Sequence, residues 1–186
     1  MTIRLAAYLQ SDSIVDGEGI RTVIWTQGCP HHCLGCHNPE TWDFAGGAEV
    51  PISEVKEIID GLEGQDGLTF SGGEPFMQPK QCAEIAKYAK SLGYNIWSYS
   101  GFTFEQLLSL GKTKKEIMDF LNEVDVLVDG KFELSKKSYN CLFRGSTNQR
   151  IIDVKKSLKA RKAIIDDKYE KVPSKNGRKR QEGVYI

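Results

Sequence analysis

The sequence predicts an α/β fold built on a parallel sheet with helical crossovers. Two observations carry that prediction: short segments rich in β-formers alternate with longer segments of helical periodicity, and each strand-like segment ends in a polar or glycine-rich stretch. Ligands in parallel α/β folds bind at the carboxyl ends of the strands, so these endings predict a shared active-site mouth.

In order, "IRLAAYLQ" reads as a short strand and "DGEG" (residues 16–19) as a turn. "RTVIWTQG" (21–28) is a strand ending where the cysteines begin. "PISEVKEIIDGL" places Ile52, Val55, Ile58, Ile59 and Leu62 at helical spacing. "GLTFS" (67–71) is a buried strand, and the next segment is a helix closed by Gly93. "YNIWSYS" (94–100) is a strand, residues 103–122 are helical with a break near Gly111, and "VDVLVDG" (124–130) is another strand. The strand endings are the cysteines, then "SGGEP", "YSG" and "DGKF".

The composition bounds the function. With 186 residues, net charge zero and 40% hydrophobic residues, the chain matches one ordinary globular domain. That balance gives no pull toward nucleic acid or a membrane surface, no apolar run approaches a membrane span, and the N-terminal apolar run is too short for a signal peptide. A cytoplasmic setting follows as the expectation, so five cysteines predict metal or redox chemistry and not disulfides. The core is expected over residues 1–154. Residues 155–186, with the "PSKNGRKR" patch, are expected to be a basic, mobile tail.

Three cysteines fall within "CPHHCLGC", as Cys29, Cys33 and Cys36. A structural zinc site takes four Cys or His ligands, which these cysteines with His31, His32 or His37 would supply. Three thiolates on a cubane iron–sulfur cluster instead leave one iron open to bind a small molecule. The spacing alone leaves both readings standing. Cys82 shares an apolar helix face with Ile85, Ala86 and Ala89, which predicts a buried core position; Cys141 receives no role.

The C-x3-C-x2-C triplet after one strand and Gly-Gly-Glu-Pro after the next resemble the radical S-adenosylmethionine enzymes. "VDGEGIRTVIWTQGCP" (15–30) resembles the glycyl-radical-enzyme activases among them, with Trp25 where that family usually has Phe. Gly35 before the third cysteine, "VLVDGKF" (126–132) and "FRGSTNQRIIDV" (143–154) resemble the activases of anaerobic ribonucleoside-triphosphate reductase. The activase of pyruvate formate-lyase is the nearest alternative, and a zinc-binding interaction module is the alternative of another class. The resemblance covers about residues 10–154 and implies an incomplete, open parallel β/α barrel, since the chain is shorter than the roughly 250 residues of a full one.

The resemblance implies a [4Fe-4S] cluster on Cys29, Cys33 and Cys36. S-adenosylmethionine is then cleaved reductively to methionine and a 5′-deoxyadenosyl radical, which places a glycyl radical on the reductase. A reduced flavodoxin-type donor is implied with it. Gly35 and His37 flank the third ligand, and Gly72 and Gly73, supported by Ser71 and Glu74, take the methionine end. Ser100, Asp129 and Lys131 are expected at ribose or carboxylate contacts. Asp16, Gly17, Gly19 and Arg21 are expected to shape the cofactor rim, with a structural salt bridge as the equal alternative for Arg21. His31 and His32 are expected to be loop residues and not ligands. Arg144, Ser146, Asn148, Gln149 and Arg150 form a polar cluster read as a docking segment, with a hydrogen-bonded turn as the alternative.

Overall fold

The computed structural model describes residues 1–170. Strands β1 (Thr2–Leu5), β2 (Gln10–Ser13), β3 (Arg21–Thr26) and β4 (Ala48–Pro51) open the chain. Helix α1 (Ile52–Asp60), β5 (Gly67–Gly72), α2 (Pro79–Ser91) and β6 (Asn95–Tyr99) follow. Helices α3 (Phe104–Leu110) and α4 (Lys115–Glu123), strands β7 (Val126–Asp129) and β8 (Arg150–Asp153), and helix α5 (Val154–Ala160) complete the order.

One sheet runs β4-β1-β3-β5-β6-β7-β8, with β2 also paired to β3. Its centre, β3-β5-β6-β7, is parallel as the alternation predicts. Its margins are antiparallel: β1 and β2 on β3, β4 on β1, and β8 on β7. The reason lies in the connections. A parallel neighbour needs a crossover, usually a helix, and the chain between β7 and β8 contains no α-helix, so β8 returns alongside β7 in the opposite sense. The edges β4 and β8 do not pair with each other, so the barrel stays open.

Alternation along the strands sorts side chains to two faces. Ile24, Leu68, Phe70, Ile96, Leu127 and Ile152 face the helices and form the main core with Val55, Ile59, Ile85, Phe104 and Phe120. Cys82 is fully buried there, as its helix face predicts. The opposite, concave face carries Trp97, Val128 and Ile151 in a second cluster. Local signals set the helix ends. Thr103 and Gln106 form a capping box on α3, Asp153 caps α5 by accepting from Lys156 N, and the break near Gly111 separates α3 from α4.

Residues 155–170, expected as tail, belong to the folded unit. Helix α5 packs on the sheet through Val154 and Ser157, and Tyr169 is buried against Trp97 and Phe143 on the concave face. Lys168 and Tyr169 both bind Glu18, the phenol donating at 2.7 Å, so this strap joins the end of the fold to the turn before β3. The "PSKNGRKR" patch lies outside the described residues. No helix among the described residues is long and apolar enough to cross a membrane.

Candidate active site

Four loops converge beyond the carboxyl ends of β3, β5, β6 and β7. Cys29, Cys33 and Cys36 line one cavity of about 100 Å3 there, with Ser71, Gly72, Gly73, Ser100, Gly101 and Gly130 in its wall. A larger cavity of about 580 Å3 shares Cys36, Ser71, Tyr99, Phe132 and Gln149 with the first. It extends past His37 and Asn38 to Asp16, Trp25 and the 137–145 loop, and its size is that of ordinary small-molecule sites.

The loops are fastened before any ligand is considered. The β3–β5 ladder continues past the strands, with Gly73 N donating to Thr26 O at 2.7 Å and Glu74 N to Gly28 O at 2.9 Å. A Cβ on Gly73 would sit 2.6 Å from Gly28 O, beside the first cysteine, and one on Gly72 (φ +93°) would sit 2.6 Å from Thr26 O. Both glycines are therefore required by the packing of "SGGEP" on the cysteine loop, a demand independent of the ligand clamp expected of them.

Glu74 is fully buried below this loop and joins three of the four. It accepts from Phe76 N at 3.1 Å, Gly101 N at 2.8 Å and Ser100 Oγ at 3.0 Å, and it pairs with His31 Nε2 at 2.9 Å. A buried carboxylate is stable only with such a set of partners. His31 is thus tied to Glu74 and stacks edge-on against Phe102 at 4.5 Å. Burial pushes the Cys29 thiol up to about 11 and raises Cys33 as well. Metal ligands must be thiolates, so loading displaces these protons.

Cys29, Cys33 and Cys36 line one cavity together, so the three thiols are brought to a common space.

The other expected site residues each have partners of their own. Asp129 is fully buried, with both oxygens committed: it pairs with Arg150 at 2.5 and 2.9 Å and accepts from Phe104 N at 2.7 Å. Ser100 lines the cavity but donates its hydroxyl to Glu74. Lys131 follows β7 with its side chain exposed, and its carbonyl accepts from Asn148 Nδ2 at 2.8 Å. Gly35 (φ +75°) packs against Leu134, and His37 against Phe132 at 5.0 Å.

Of the turn before β3, Asp16 lines the larger cavity, while Gly19 packs on Asp66 at the opposite end of the strands. Gly17 packs on Arg21 and Trp97. Arg21 is at the amino end of β3, away from the cysteines, and it forms no salt bridge among the described residues. Its guanidinium donates to Thr69 Oγ1 and to the carbonyls of Glu18, Leu68 and Asn95.

The segment read as docking is the hydrogen-bonded turn. Gln149 Oε1 accepts from Gly145 N and Ser146 N, and Gln149 Nε2 donates to Gly130 O. Arg144 pairs with Glu170 at 2.6 Å and donates to Gln149 O at 3.2 Å, and its side chain is 8% exposed. These partners lie tens of residues away or within the turn itself, so the sequence could not show them.

The family described as a 4Fe-4S single cluster domain matches residues 15–152. The anaerobic ribonucleoside-triphosphate reductase-activating protein of Pasteurella multocida (strain Pm70) is 32% identical over 147 residues, covering 74% of this chain and 90% of that one. Its counterpart in Enterobacteria phage T4 is 35% identical over 144 residues, covering 74% and 86%. The chain belongs to the family of anaerobic ribonucleoside-triphosphate reductase-activating proteins. Its matched region is that of a 4Fe-4S single cluster domain. The pyruvate formate-lyase-activating enzyme of Clostridium pasteurianum is 44% identical over 92 residues, but this covers 46% of this chain and 38% of that enzyme.

Within this family frame, sequence reasoning passed over three residues of the site. Tyr99 and Phe132 form the wall shared by the two cavities, and Trp42 closes the smaller one. Tyr99 and Phe132 sit within the strand-end motifs and were legible as neighbours of "YSG" and "DGKF". Trp42 carried no signal beyond its nearness to the cysteines.

Proposed function

We propose that this chain activates an anaerobic ribonucleoside-triphosphate reductase by generating a radical on a glycine of that partner, with Cys29, Cys33 and Cys36 holding a [4Fe-4S] cluster and S-adenosylmethionine bound beside it. One observation carries the reading: the cavity lined by the three cysteines shares a wall with a cavity of about 580 Å3. When bound, the cluster supplies the single electron that breaks the sulfonium C5′–S bond of S-adenosylmethionine.

The chain's own residues do the rest. Glu74 holds the cysteine loop and the loops after β5 and β6 in register. Gly72 and Gly73 leave backbone carbonyls free of side-chain cover, where a ligand ammonium can approach. Lys131, exposed after β7, supplies a cation for a carboxylate, and Tyr99 and Phe132 keep water from the shared wall. The open side of the barrel admits a loop of another protein, which a closed barrel would exclude. A reduced flavodoxin-type donor and a reducing, cytoplasmic setting complete the proposal.

Protein reconstituted without oxygen is expected to carry about four irons per chain. Cys29→Ala, Cys33→Ala or Cys36→Ala should abolish that load, and Cys82→Ala and Cys141→Ala should keep it. Stoichiometric zinc in place of iron would sink the reading. The match to a pyruvate formate-lyase-activating enzyme supports a second partner. Electron paramagnetic resonance of mixtures with each glycyl-radical protein from the same source decides between them. A signal on pyruvate formate-lyase alone would replace the reductase.

A further inference from the structure

We propose that Trp42 donates its indole N–H to a sulfur of the cluster and thereby raises the cluster's reduction potential. The inference rests on the proposed cluster site and adds to it a residue whose role is tuning and not ligation. Tryptophan has one polar atom, a donor, and a buried indole N–H nearly always finds an acceptor. Trp42 Nε1 is buried with no hydrogen-bond partner among the described residues, and Trp42 lines the same cavity as all three cysteines.

The backbone that carries the indole is held from both sides, and the ring has one aromatic neighbour. Trp42 O accepts from Cys29 N at 3.1 Å, and Thr41 O accepts from Gly28 N at 2.8 Å, which ties this stretch to the first cysteine. Gln27 Nε2 donates to Glu40 O and Asp43 O, clamping the chain on both sides of Trp42. The ring packs edge-on against His32 at 5.0 Å.

Among the described residues the protein offers that donor no acceptor, and the group proposed for the cavity is rich in them. Each cluster sulfide and each ligating thiolate accepts hydrogen bonds, more strongly in the reduced, more negative state. A hydrogen bond of this kind stabilises the reduced form, one of the ways in which a protein sets an iron–sulfur potential.

The test compares reconstituted wild type with Trp42→Phe, which keeps an aromatic ring against His32 and removes the N–H. Iron content is expected to match wild type while the midpoint potential of the cluster moves to a more negative value. Full iron with an unmoved potential would overturn the assignment. If the variant fails to load, wild-type protein grown with indole-15N tryptophan keeps the question open to measurement. Pulsed electron paramagnetic resonance of its reduced cluster should show coupling to one 15N and to an exchangeable proton. Absence of that coupling overturns the inference. Wild type that takes up no iron would instead overturn the cluster site itself.

Discussion

The two ends of the concave face each bury a charged side chain, and they use it differently. At the amino ends of the strands, Arg21 is 1% exposed and binds β5 and β6 directly, through Leu68 O at 2.6 Å, Asn95 O at 3.0 Å and Thr69 Oγ1 at 2.6 Å. Trp97 packs against it at 5.4 Å, Tyr169 packs on Trp97, and this end is filled. At the carboxyl ends, Glu74 is equally buried, but its partners lie in loops, and cavities remain beside it. One charge staples strands; the other staples loops that have to present three thiols. Stability and function are thereby given separate anchors in one sheet, much as barrel folds divide their two faces.

The sharpest way to break that comparison is to remove each charge. Glu74→Ala strips the partner from buried His31 and leaves Ser100 Oγ, Gly101 N and Phe76 N without their acceptor. Removing one member of a buried pair costs about 3–5 kcal/mol. The local consequence should exceed the global one, with iron uptake on reconstitution lost even where circular dichroism shows a folded chain. Glu74→Gln keeps the shape and most acceptors and should retain part of the uptake. If Glu74→Ala loads iron as wild type does, the loops do not depend on this carboxylate.

Arg21→Met should give the opposite pattern at smaller cost. Burial already holds the Arg21 guanidinium down to about 10, and no carboxylate loses its partner when it goes. The substitution leaves carbonyls less satisfied at the filled end, a cost of about 1–3 kcal/mol. Urea unfolding should show that loss, while iron content per folded chain stays at the wild-type value. Equal loss of iron in both variants would mean the two ends are one unit.

What the sequence revealed follows the same divide. The parallel strands, the helices and the converging loops were legible because period-2 and helical patterns, glycines and cysteines are local signals. The antiparallel margin at β8 was not, because its direction depends on the absence of an α-helix between residues 130 and 149. Asp129 looked like a ligand contact from its place in "VDGKF", yet its partner Arg150 arrives 21 residues later. Tyr169 looked like tail from the basic residues around it, and only its packing on Trp97 and Phe143 shows otherwise. Local pattern found where chemistry gathers, and tertiary pairing decided which polar residues remain free for it.

The smallest expected effect tests the strap that covers the filled end. Glu18 is held below the usual carboxylate range by its hydrogen bonds to Lys168 and then to Tyr169. A carboxylate whose folded value is depressed stabilises the fold fully above its unfolded value, and loses that contribution as pH falls through the folded one. Glu18 and Lys168 are 50% and 59% exposed, so water and salt screen the pair and its worth is a fraction of a kcal/mol. Glu18→Gln should therefore melt slightly below wild type at pH 7, and the gap should close as pH drops below the ordinary glutamate range. Thermal unfolding of both proteins from pH 7 to pH 3, at low and high salt, measures it. A gap that persists unchanged in acid would show that the charge of Glu18 is not what the substitution removes, and no gap at any pH would show that the strap is held by the packing of Tyr169 alone.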